Sequence, residues 1–63
     1  MKVGDRVGLQ HLLGADKPYN CSNGIVKELL PDDRYGVVSD IDGKQLDVGI
    51  ENLTNPFLEV NYF

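Results

Sequence analysis

His11 and Cys21 are the chain's one histidine and one cysteine. A thiol beside an imidazole is the minimum for nucleophilic chemistry near neutral pH, because the imidazole can take the thiol proton. Both fall in residues 11–22, a stretch that also carries Gly14, Pro18, Asn20 and Ser22 and reads as a long irregular loop. A working pair would also need a group to orient the base and donors for a developing oxyanion, and a 63-residue chain offers little concave volume to enclose them. The expectation is therefore a non-enzyme with no catalytic residues and no cofactor. Cys21 reads as a loop residue and His11 as a polar residue at a strand end.

Metal chemistry meets a similar limit. A structural zinc site needs about four ligands of the Cys, His or carboxylate type, and the chain has one of each of the two preferred kinds. Asp40, Asp42 and Asp47 surround Gly43, as in a calcium loop. Setting Gly43 at the central glycine position of an EF-hand, however, puts Val38 first and Gly49 last, so both end ligands are missing. A solvated acidic hairpin is the expectation, with no metal.

Five aromatic residues, Tyr19, Tyr35, Phe57, Tyr62 and Phe63, are all the chain has, with no tryptophan. A cation-binding aromatic cage needs several converging rings, and a small core cannot spare them. Tyr35 shares a strand face with Val37 and reads as core. The end of the chain, Phe57-Leu58-Glu59-Val60-Asn61-Tyr62-Phe63, alternates like a strand. It places Phe57 and Phe63 either outward as a contact surface or over the open end of a barrel, and the sequence leaves both open.

The elements that must hold these residues are short strands separated by turn chemistry. Val7 and Leu9 alternate with polar residues over 5–10 after an entry turn at Gly4-Asp5. Asn23-Gly24 suggests a tight turn or bulge leading into a second strand at 24–30. Pro31-Asp32-Asp33 joins it to a third at 34–40, and Asp42-Gly43 signals a hairpin with a primed turn. A fourth strand follows at 44–48, with Leu46 and Val48 inward. Residues 49–53 suit one 3₁₀ turn, and 57–62 read as a closing strand pairing with the first. Five short strands, a long first loop, two hairpins and a single 3₁₀ turn before the last strand give an all-β, five-stranded SH3-like barrel, one domain over residues 1–63. A five-stranded OB-fold is the structural runner-up, but it places a helix where this chain has only the Asp42-Gly43 turn.

Several segments resemble a family of small SH3-like domains found beside MYND zinc fingers and ankyrin repeats, and more distantly the KOW-type barrels. They are Val3-Gly4-Asp5-Arg6-Val7, Asn20 with Gly24 and Val26, Arg34-Tyr35-Gly36-Val37, and Val48-Gly49-Ile50-Glu51-Asn52-Leu53. The likeness covers roughly residues 3–53. Tyr19, Cys21 and Ile50 stand where that family usually has Leu, Gly and Pro. In architecture the chain is also similar to small accessory subunits such as photosystem I subunit IV and the variable chain of ferredoxin-thioredoxin reductase. These motifs are structural, so the resemblance implies a barrel and neither a reaction nor a particular ligand, while the accessory-subunit likeness leaves docking onto a larger assembly open.

Charge and composition set the remaining expectations. Ten acidic and six basic residues give a formal charge of -4, and the scattered Lys and Arg disfavour nucleic acid or an anionic membrane surface as partner. No apolar run is long enough to span a bilayer, the N-terminus lacks a signal-peptide pattern, and one cysteine makes no internal disulfide. A cytoplasmic location is the default, so the acceptor patterns at Asn20 and Asn52 are expected to stay unglycosylated. A domain of this length is only marginally stable alone, which leaves homo-oligomerisation open. The functional expectation is a non-catalytic protein-interaction module or small accessory subunit. Its protein partner would carry a basic patch and contact Tyr19, Cys21, Phe57, Tyr62 and Phe63. The alternative is a nucleic-acid-binding barrel of the KOW or cold-shock kind.

Overall fold

The computed structural model describes residues 1–11 and 19–57. Five antiparallel strands form one curled, half-barrel sheet: β1 (Arg6–Leu9), β2 (Ser22–Leu30), β3 (Arg34–Ser39), β4 (Gln45–Gly49) and β5 (Leu53–Thr54). A 3₁₀ turn, Ile50–Asn52, precedes β5, and the sheet order is β4-β3-β2-β1-β5. This is the all-β, SH3-like order expected from the turn chemistry.

Strand pairing explains the core. Val26 lies opposite Val37 and Val37 opposite Leu46, so these side chains share one sheet face. Val7 and Leu9 alternate onto the same side from β1, and Leu53 lies opposite Leu9. Val7, Leu9, Val26, Val37, Val48 and Leu53 are buried, with Tyr19, Tyr35 and Leu46 packed around them. Burying each such aliphatic side chain is worth about 1.5–3 kcal/mol relative to leaving it in water. Tyr35 is thus a core-edge residue, as its alternation with Val37 implies.

The closing strand is placed differently from the expectation at 57–62. The residues that pair with β1 are Leu53 and Thr54, directly after the 3₁₀ turn, in the register Leu9↔Leu53 and Gly8↔Thr54. The Leu53 N–H caps the turn by donating to the Ile50 carbonyl. The turn therefore delivers an apolar side chain straight onto the core, and no spacer as far as Pro56 is needed. Of the expected strand, Phe57 is described and is not in a strand, while 58–62 lie outside the described residues.

The turns also redistribute their strain. Asn23-Gly24 is not a turn but the interior of β2, and the left-handed conformation before it falls on Cys21, at φ 65°. Gly24 is required for space: a Cβ there would sit 2.6 Å from Val37 Cγ1 and 2.7 Å from the Val38 carbonyl oxygen. The pair of positive φ angles typical of a primed turn occurs at Asp32 (62°) and Asp33 (58°) instead of at Asp42-Gly43. The β3–β4 connection is a longer loop, closed by Ser39 N–H to the Lys44 carbonyl and Gly43 N–H to the Ser39 carbonyl, both at 3.0 Å.

Cys21 holds an exposed side chain on a backbone that any residue with a Cβ adopts at a cost of about 1–2 kcal/mol. Glycine avoids that cost but loses more freedom on folding. Cys21→Gly is therefore expected to raise unfolding stability by about 0.5–1 kcal/mol, read as a higher urea midpoint; a lower midpoint would show that the Cys21 side chain contributes packing.

Candidate functional site

Three regions concentrate side chains that could act on something outside the fold. The first is the outer face of β1 and β2, where Gly8 lies opposite Asn23. Asn23 is buried at 6% exposure, and its side-chain amide behaves like a piece of strand. Its Nδ2 donates to the Phe57 carbonyl at 3.0 Å, while its Oδ1 accepts the Phe57 N–H at 2.7 Å. The Phe57 ring then covers Gly8, where a Cβ would fall 2.9 Å from Phe57 Cδ2 and 2.6 Å from the Asn55 carbonyl oxygen. Phe57 is half-buried, and its backbone and ring are committed to holding the chain after β5 against the sheet.

The second region is the end of the sheet at which β2 begins. Tyr19 packs its ring against the core, and its hydroxyl donates to Asp42 Oδ2. Asp42 Oδ1 accepts the Lys44 N–H at 3.0 Å. The Tyr19 hydrogen bond, then that from the Lys44 backbone, lowers the Asp42 carboxyl below its ordinary value. The Ser22 hydroxyl donates to the Tyr19 carbonyl, and the Cys21 N–H donates to the Leu9 carbonyl at 2.9 Å. Cys21 and His11 are both exposed.

The third region is the opposite end of β2, which the sequence reading passed over. Leu29, 54% exposed, lies opposite Tyr35, which in turn lies opposite Val48. Ile50, 45% exposed, is brought to the same end because its N–H donates to the Asp33 carbonyl at 2.9 Å. Asp32, Asp33 and Glu51 are exposed around it. A bulge between Val26 and Glu28 explains why simple alternation missed Leu29: it resets the strand's phase just before the tip.

The acidic residues weighed as a cation site do not converge. Asp40 pairs with Arg6 at 2.7 Å, Asp42 takes the Tyr19 hydroxyl, and Asp47 pairs with Arg34 at 2.6 Å. No group of three or more His, Cys, Asp or Glu suited to a metal occurs among the described residues. An open, mainly polar concavity is lined by Met1, Asp5, Arg6, Val7, Thr54 and Asn55.

Of the residues expected to meet a partner, Tyr19 and Phe57 are engaged by the fold on opposite faces of the sheet, and Cys21 is exposed. Tyr62 and Phe63 lie outside the described residues. Asn23 was missed because its dipeptide is a turn signal by local chemistry, and only its distant partners reveal its use. Comparison with protein-family models, with curated proteins and with solved structures gives no match.

A folded-state carboxyl with a lowered value contributes stability that is present above its unfolded value and lost as pH falls through the lowered one. Tyr19→Phe removes the first cause of that lowering. The Asp42 carboxyl, followed by carbon-detected NMR titration, is expected to move up toward the ordinary aspartate value; an unchanged midpoint would mean that the hydroxyl does not hold the carboxylate in solution.

Proposed function

We propose that the chain is a non-catalytic protein-interaction module, free-standing or a small accessory subunit, that docks on a larger protein. The observation that carries this reading is the apolar end formed by Leu29, Tyr35 and Ile50 beneath the exposed acids Asp32, Asp33 and Glu51. Exposed aliphatic side chains at an end that also carries exposed charged residues suit a contact whose centre is dry and whose rim is polar. The acids favour a partner with a basic patch.

The resemblance to SH3-like domains that sit beside other modules agrees with a docking role. Exposed Cys21, just before β2 at its other end, provides a second contact candidate, and its thiol suits a reducing, cytoplasmic setting. Among the described residues, no helix is long and apolar enough to cross a membrane. Both arginines are engaged by aspartates, Arg6 by Asp40 and Arg34 by Asp47. The charges a phosphate backbone would need are thereby partly neutralised, which weighs against the nucleic-acid reading.

The test is affinity capture from the native source by the immobilised chain, comparing wild type, Cys21→Ser and the double variant Leu29→Glu with Ile50→Glu. Removing a central anchor typically costs well over 1 kcal/mol, so recovery of a specifically captured protein is expected to fall about tenfold in the double variant and by a smaller factor in Cys21→Ser. Equal recovery with the double variant, at an unchanged urea midpoint, would remove this surface from the proposal.

A further inference from the structure

Asparagine followed by glycine is a chemically labile pair, because the next residue's backbone nitrogen can attack the side-chain amide carbon and glycine offers no Cβ to hinder it. In this protein the fold requires both residues. Position 23 needs a planar group with one donor and one acceptor to match the Phe57 backbone, at 3.0 and 2.7 Å. Position 24 has no room for a Cβ, given Val37 Cγ1 at 2.6 Å and the Val38 carbonyl oxygen at 2.7 Å.

We propose that Asn23-Gly24 is a modification site, a deamidation centre kept latent by the Asn23–Phe57 clamp and opened only when that clamp releases. In the reaction the Gly24 nitrogen bonds to Asn23 Cγ, the Cγ–Nδ2 bond breaks, and ammonia leaves with the proton lost from the Gly24 nitrogen. Water then opens the resulting cyclic imide at either carbonyl, leaving aspartate or isoaspartate. No electrons are exchanged, and water is the only co-reactant.

The folded state blocks ring closure in two ways. Asn23 lies inside β2, and a strand's extended ψ points the next nitrogen away from Cγ. The amide is also held on the far side by Phe57 and buried at 6% exposure. Reaction therefore requires local opening at the Gly8↔Asn23 pair together with loss of the clamp. Once formed, an aspartate at 23 has no donor for the Phe57 carbonyl, and an isoaspartate adds a backbone atom to β2, so neither product restores the clamp.

The test incubates the full chain in warm, mildly alkaline buffer with and without enough urea to unfold it. Peptide-mapping mass spectrometry, with aspartate and isoaspartate products separated, then gives the rate at each asparagine. In urea Asn23 is expected to react faster than Asn20, Asn52, Asn55 and Asn61. In the folded protein it is expected to react about tenfold or more slowly than in urea, a factor set by the fraction of time the site is open. Gly8→Ala, whose Cβ would meet the Asn55 carbonyl oxygen at 2.6 Å and so push the Phe57 backbone off the sheet, is checked as folded by circular dichroism and is expected to fall between the two. The proposal is overturned if folded and unfolded wild type react at Asn23 equally fast, if Asn23 is no faster than Asn52 in urea, or if a folded Gly8→Ala protein reacts at the wild-type rate.

Discussion

Asn23 lends a strand a second set of backbone-like groups. Its amide offers one donor and one acceptor in the geometry of a peptide bond, and both are used on Phe57 at 3.0 and 2.7 Å. At a site only 6% exposed, each unmet group would cost about 1–3 kcal/mol. The same contact depends on Gly8 directly across the ladder, because only a missing side chain lets the Asn55 carbonyl and the Phe57 ring approach β1. At Gly8 and Asn23 the outer surface of β1 and β2 is thereby covered by Asn55 and Phe57.

That constraint matters in a domain of this size. Among the described residues the aliphatic core is six buried side chains on one face of a curled sheet. The ion pairs Arg6–Asp40 and Arg34–Asp47 have side chains between 40% and 62% exposed and contribute at most about 1 kcal/mol each. Stability thus rests on the inner aliphatic layer and on the covered patch at Gly8 and Asn23. At the far end of β2, Leu29 and Ile50 are exposed beside the core-edge Tyr35 and belong to neither layer themselves. Tyr19 belongs to the fold as well, since its ring and hydroxyl join the residues just before β2 to the β3–β4 loop through Asp42.

Much of the architecture was legible because it is written in local chemistry. Alternation located β1 to β4 to within two residues, and Gly49 to Leu53 announced the 3₁₀ turn. The readings that failed concern residues whose surroundings come from far along the chain. Asn23-Gly24 has the composition of a turn, yet Phe57 and Val37 decide its conformation. Leu53 looked like the end of a turn, and its place opposite Leu9 follows only once β1 is positioned. Leu29 escaped notice because a bulge shifts the phase of β2, which no side-chain pattern in that strand declares. Tyr35 was legible as core from its alternation with Val37, whereas Tyr19 could be told from a binding aromatic only by its neighbours.

The central claim is that the Asn23 amide holds Phe57 to the sheet in solution. Residue-resolved hydrogen exchange tests it most directly, because the Phe57 N–H lies outside any strand and has Asn23 Oδ1 as its acceptor. Protection of the Phe57 amide within about tenfold of that at Val26 and Val37, collapsing in Asn23→Ala while those two stay slow, is the result this account requires. Exchange of the Phe57 amide at the rate of an unstructured peptide in the wild-type protein would contradict it.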